Sequence, residues 1–448
     1  MKCASQRESR QTSGRNVASD ISTHIAALVS WTGQELHPIA EESGKMKVEV
    51  GFGRYNITPP LGTLMAGYAK RTDGAADIYD ELSARAVAFE SGGESAALIA
   101  VDVCSLPDAT CEATRVRVSE RTGIPKDNVI VAGVHTHAGP RLGQEGTYVA
   151  LLPDLLASAA ELAWKRRRPA KLSYGTGMAE GLCINRRKFG GPVDEEFSFL
   201  AAADADGNLY GLLFSYALHG VVMGQNNLTI SADYIGAARR AIEEHMPGAE
   251  TAFVAAPSGD INPLTPTVKV LLAERRKSPS APDPFARIYD RNSGTFAEVE
   301  EVGRSLGTAV LRALGKKKAV RPGKLQAKAW SVNVGGESEI AVTLRAIEVG
   351  DVAIVALPGE HFVETGFALK QMAKDAGRRL IALSHAGQLT YVPTRQAFSE
   401  GGYEVENARR RGLAENAQER ILESLRGVVF PRRRKAAKQP KRARGKRA

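Results

Sequence analysis

Short apolar runs punctuated by polar turns rich in glycine and proline recur along most of this chain. The runs at 96–103, 129–132, 253–256, 351–357 and 380–384 read as strands buried on both faces. The alternating segment from Met46 to about residue 58 and the runs at 171–176, 197–203 and 209–218 read as strands too. A turn at 204–208 joins the last two, and 325–349 reads as a strand pair. Helical spacing marks 108–121, which is stopped by Thr122-Gly123-Ile124-Pro125, and also 151–165, 233–245, 362–375 and a final element at 413–425. An exposed loop is expected at 275–284. Strand 96–103, helix 108–121 and strand 129–132 follow one another as a βαβ unit, which calls for a parallel pair under helical cover. The predicted fold is α/β: a mixed central sheet with helices on its faces.

Polar chemistry gathers where these strands stop, and in open α/β sheets the carboxyl ends of strands are where ligands bind. Val129-Ile130-Val131-Ala132 runs into His135-Thr136-His137, and Gly139-Pro140 then turns the chain. In extended backbone, positions i and i+2 face the same way, so the two imidazoles are expected to share one cleft. That pair is either a hydrogen-bonded polar corner or the start of a divalent-metal site. Asp102 ends the preceding strand and either orients a histidine or caps the next helix. Gly67-Tyr68 is either an ordinary turn or a pocket wall. Read locally, His219 is a core histidine in an apolar run, and Arg186 and Arg187 are surface arginines. Ser258-Gly259-Asp260 is no nucleophile elbow, and the turn at 204–208 lacks the glutamate of a calcium loop.

Composition changes little of this. The formal charge of +10 resides wholly in residues 431–448, which hold ten Lys and Arg and no acidic residue, so the remainder is formally neutral. That tail is expected to be disordered, either solvated or in contact with anionic lipid or nucleic acid. Four cysteines without CxxC spacing read as reduced thiols rather than a disulfide framework. Residues 1–45 read as a polar extension, disordered or the product of a misassigned start, ahead of a domain at 46–430. They show no evident signal segment, and no stretch is long enough for a transmembrane helix. A cytoplasmic location is therefore expected, with peripheral membrane association through the tail.

Taken in order, GFGRYNITPP, VAGVHTHAGP, INRR, YALHGVVMG with SADY, SGDINP, LPGEHFVETG, and LTYVPT with GGYEVE resemble the amino-terminal catalytic domain of the neutral/alkaline ceramidases, from about Val48 to Ala408. The resemblance implies a zinc-dependent amidase that cleaves an N-acyl bond. It implies zinc ligands at His135, His219, Glu360 and Tyr391, with His137 beside metal and substrate and Arg186 near the reacting carbonyl. Two departures bear on the substrate. Asn262 stands in GDINP where the family has serine, and Gly220 follows His219 where the family has proline. An asparagine exchanges hydrogen bonds but supplies no alkoxide. The expected substrate is thus an N-acyl lipid or an unrelated small amide, with a catalytically silent metal-binding or interaction protein as the alternative.

Overall fold

The structure is a computed structural model that describes residues 48–143, 146–277 and 294–431. The extension, most of the expected 275–284 loop and the basic tail lie outside the described residues.

Three sheets carry the fold. The first runs Val129–Gly133, Glu94–Val101, Ser83–Ser91, Glu49–Asn56, Arg168–Pro169. The second runs Glu250–Ala255, Leu209–Tyr216, Glu196–Ala203, Lys171–Met178, Lys318–Ala319. The third runs Leu325–Asn333, Ala341–Val349, Val352–Ala356, Arg379–Leu383. Each contains one parallel pair among antiparallel neighbours: Glu94–Val101 with Val129–Gly133, Leu209–Tyr216 with Glu250–Ala255, and Val352–Ala356 with Arg379–Leu383. Parallel strands need a crossover, and helices Asp108–Thr122, Asp233–His245 and Val363–Asp375 supply one for each pair. The expected α/β architecture with mixed pairing is therefore present, as three βαβ units in three sheets rather than one.

Strand periodicity explains the core. Along Glu94–Val101, Ala96, Leu98 and Ala100 enter a cluster shared by all three sheets, including Leu213 and Phe253 of the second and Ile347 and Ile354 of the third. The alternate residues Ala97, Ile99 and Val101 pack instead on Cys111 and Val118 and on Leu156 and Ala160 of helix Thr147–Lys165. A third cluster joins Ala353 and Val355 to Leu369 of helix Val363–Asp375 and to Ile421 and Leu425 of helix Ala417–Val428. Every strand of the parallel pairs is thus buried on both faces, as their continuous apolar runs require.

The differences from the sequence expectations are local. Helix Thr147–Lys165 begins four residues before 151 and contains Pro153 past its first turn, where the ring removes one i→i−4 hydrogen bond. Helix Phe296–Leu314 was not expected, although Thr295 and Glu298 form a complete capping box at its start. Helices Arg395–Glu400 and Tyr403–Arg410 precede the last one, which spans Ala417–Val428 rather than 413–425. Helix Pro266–Lys277 occupies the first part of the expected 275–284 loop. Asp102 plays neither expected role. Both its oxygens accept from Arg239, each at 2.7 Å, and Ser83 donates from its backbone and hydroxyl. Cys104, Cys111 and Cys183 are free and buried. No helix among the described residues is long and apolar enough to cross a membrane.

Candidate metal centre

The carboxyl ends of the three parallel pairs converge. His135 follows strand Val129–Gly133, His219 follows Leu209–Tyr216, Glu360 follows Val352–Ala356, and His385 follows Arg379–Leu383. Residues remote in sequence meet here because each pair was cut to end at the same level.

His135 reaches the centre by a route other than simple extension. Its φ is +71°, in the left-handed region, so the chain kinks between the strand and the histidine. Thr136 then forms a bridge with Gly220, and His137 N donates to Gly220 O at 2.9 Å. These contacts bring the segments bearing His135 and His219 side by side. They also account for Gly220, because a Cβ there would lie 2.7 Å from His135 O. Both histidines still share one cleft: His137 Nε2 stands 3.1 Å from His135 Nε2. Extended alternation is not the cause.

His135 Nε2 and His219 Nε2 lie 3.4 and 3.3 Å from the same oxygen, Glu360 Oε2. Ligand bonds of about 2.0–2.1 Å in a tetrahedron give edges of about 3.3–3.4 Å, so both distances to Glu360 Oε2 match two ligands of one zinc-sized ion, and all three atoms lie within 4.8 Å of one another. The donor set fits as well. His135 Nδ1 donates to Cys104 O and His219 Nδ1 to Ser258 O, both at 2.8 Å. Each Nδ1 therefore carries its proton, and each Nε2 lone pair faces the shared point. Among the described residues, His219 Nε2 and Glu360 Oε2 are buried without a hydrogen-bond partner. Unpaired acceptors at the centre of a fold are expensive unless a cation satisfies them. His135, His219 and Glu360 form one possible cation-holding group, and Cys104, His135 and His137 form a second that shares His135.

The charges are mutually adjusted. Burial opposes charge on both Glu360 and His135, but the two hold each other ionised, Glu360 well below its usual range and His135 well above its own, so a cation at the shared point would replace the His135 Nε2 proton. Burial, reinforced by His135, pushes His219 down to about 4. His137 is pushed well down by burial and then by His135 and His219.

The other expected residues surround this group. Tyr391 is paired in parallel register with Glu360 and is buried, and burial followed by the charge of Glu360 keeps its phenol well above the ordinary value. The guanidinium of Arg186 lies 5.4 Å from the Tyr391 ring centroid, and its Nη1 reaches Asn262 Oδ1 at 3.5 Å. Asn262 is buried in a short strand paired with Cys183–Asn185, which delivers Arg186 to the same cleft. Tyr68 packs edge-on against His137 with ring centroids 5.3 Å apart, so Gly67-Tyr68 is a wall of the site.

Two participants carry no expected role. His385 stacks on His135 at 3.9 Å and 12°, buried, with φ +60°. Its signal was the one His135 gave, a histidine just past an apolar strand. Glu404 lies in GGYEVE and fastens two arginines: Oε1 accepts from Arg186 Nε at 2.9 Å, and Oε2 from Arg187 Nη1 at 2.6 Å. Arg186 and Arg187 are thereby held inward rather than left on the surface.

No family model matches the chain. Neutral ceramidase of Oryza sativa subsp. japonica is 27% identical over 266 residues, covering 52% of this chain and 34% of that protein. Neutral ceramidase of Pseudomonas aeruginosa is 28% identical over 235 residues, covering 46% and 35%. The alignments thus span about a third of the length of these curated relatives. The crystal structure of neutral ceramidase from Pseudomonas aeruginosa superposes with a TM-score of 0.70 at 18% identity, covering 85% of this chain and 74% of that one. The chain is thus similar in sequence to neutral ceramidases over about half its length, and it shares its fold with one of them.

Proposed function

We propose that the chain is a divergent member of the neutral ceramidase family that hydrolyses an N-acyl amide bond with zinc. The observation that carries this reading is the convergence of His135 Nε2 and His219 Nε2 on Glu360 Oε2, each at tetrahedral-edge spacing from it, with two of the three lacking any other partner among the described residues. These residues would hold the ion, with Tyr391 beside Glu360 as a neutral fourth ligand. Bound there, zinc polarises an amide carbonyl and makes water nucleophilic near neutral pH.

The remaining steps belong to the protein's own side chains. His137 Nε2, 3.1 Å from the inward nitrogen of His135, would take a proton from the attacking water and return it to the leaving amine. Arg186, fixed by Glu404, would stabilise the oxygen that becomes negative as the carbonyl is attacked. Asn262 contributes a hydrogen-bonding amide to the same oxygen or to the substrate amide. The buried walls exclude bulk water from this exchange, which strengthens each electrostatic contact. The substrate class is an amide with an N-acyl chain, an N-acyl lipid or a smaller acyl amide.

The test measures zinc per chain and hydrolysis together. Wild type is expected to bind one zinc and to release acid from at least one of N-acyl sphingosine, N-acyl amino acids and short acyl amides. His219→Ala and Glu360→Ala are expected to lose both properties. Wild type without zinc, or zinc-loaded protein inert on the whole panel, overturns the proposal.

A further inference from the structure

Behind the loops that carry Glu360 and Tyr391 lies a separate cavity of about 310 Å³, between helix Asp108–Thr122 and the third sheet. Arg115, Arg345 and Arg411 line it, together with Asp108 and Glu112. Both acids already have partners, and for Glu112 one of them is Arg115 itself. Glu112 accepts from Lys126 at 2.8 Å and from Arg115 at 3.2 Å, and Asp108 accepts from Gln388 N at 2.8 Å.

Arg345 is the anomaly. It projects from strand Ala341–Val349 and is 8% exposed, yet among the described residues it makes no hydrogen bond or ion pair, and its Nε is buried without a partner. Burial and then the like charge of Arg115 push its guanidinium down to about 10, only partly offset by Asp127 and Glu112. An unpaired buried cation costs several kcal/mol in general, and a second guanidinium beside it adds to that cost. Packing does not explain it, since Met would fill the same volume without the charge.

We propose that this cavity is a binding site for a small oxyanion, inorganic phosphate or a short carboxylate, held by Arg345 and Arg115, with the exposed Arg411 at its rim. Guanidinium forks match both anions in charge and geometry. The cavity is several times the volume of a water molecule, enough for either. Pro358, Gly387 and Leu389 form part of its wall. Gly359 N donates to Gly387 O at 3.3 Å and Glu360 N to Thr390 O at 3.1 Å, so an occupant rests against the segments that set the position of Glu360. The proposal does not depend on the reaction assigned to the metal centre.

Calorimetric titration of the full chain with phosphate, and separately with acetate, tests it. Arg345→Met and Arg411→Ala are the variants, and both keep the metal centre and the basic tail. One saturable site per chain is expected for at least one anion, weakened about tenfold or more in each variant, the loss expected for a single charge-assisted contact. Preference for phosphate or for acetate identifies the source of the oxyanion. In anion-free buffer Arg345→Met should melt at or above the wild-type temperature, because it removes an uncompensated charge. Absence of saturable millimolar binding to either anion, equal binding in the variants, or a lower melting temperature for Arg345→Met overturns the proposal. Arg411 is exposed, so Arg411→Ala keeps the binding test independent of folding.

Discussion

Replacing Glu404 by Gln changes one atom and should have a large effect. Glu404 is 4% exposed, and its two oxygens accept from two different arginines at 2.9 and 2.6 Å. Each charge-assisted bond contributes about 1.5–3 kcal/mol, so the pair contributes about 3–6 kcal/mol. Glutamine keeps one acceptor but turns an NH2 toward the other guanidinium, so about 2–5 kcal/mol should be lost after the surviving bond of about 1 kcal/mol is counted. Urea unfolding of wild type and Glu404→Gln measures this directly. The functional readout is separate: Arg186 loses its anchor, so kcat should fall more than KM rises, while zinc content stays at the wild-type value. A double-mutant cycle with Arg186→Met isolates the contact, with an expected coupling of about 1.5–3 kcal/mol. A Glu404→Gln variant within 0.5 kcal/mol of wild type and equally active would refute the reasoning, since buried twofold acceptance by one carboxylate is its whole basis.

Gly67 has φ +99°, and a Cβ there would fall 2.5 Å from the His137 ring. Gly67→Ala should therefore cost about 1–2 kcal/mol in backbone strain and displace His137. Kinetics are expected to drop about tenfold or more with zinc stoichiometry intact, and unchanged kcat/KM would show that His137 has no positional role. Asp233 is pushed from 3.8 up to about 6 by burial, against three backbone N–H donors. The native state then binds its proton more tightly than the unfolded chain, so this group's contribution to stability falls as pH rises from about 4 to 6 and is level above that. The fall is about 3 kcal/mol. Asp233→Asn removes it, so the stability of the variant relative to wild type should rise by about that amount between pH 4 and 7, and a pH-independent difference contradicts the assignment.

Much of the scaffold was legible because burial on both faces leaves continuous apolar runs, and because Thr122-Gly123-Ile124-Pro125 ends its helix by ordinary turn chemistry. His135 announced itself as polarity at a strand end, and His385 gave the same signal without being assigned a role. His219 did not announce itself. Within LLFSYALHGVV it is indistinguishable from a satisfied core histidine, and only the resemblance to a family picked it out. Helix Phe296–Leu314 showed its capping box in the letters TFAE and went unread. Asp102 could not be read at all, because its partner Arg239 lies on a helix of another sheet and nothing local marks the pairing. The same holds for Glu404 and the two arginines it fastens: long-range pairing leaves no periodicity behind.

Both imidazoles donate from Nδ1 to main-chain carbonyls, those of Cys104 and Ser258, and His135 is held in addition by the stacked ring of His385. Every residue type offers that same carbonyl. Position 258 is therefore free to drift in identity, and the aim of the His219 imidazole survives so long as the chain follows the same path, whereas at position 104 the thiol itself lies 3.7 Å from His135 Nδ1. At these carbonyl supports the centre is vulnerable to insertions, deletions and prolines that would redirect the backbone after strands Glu94–Val101 and Glu250–Ala255.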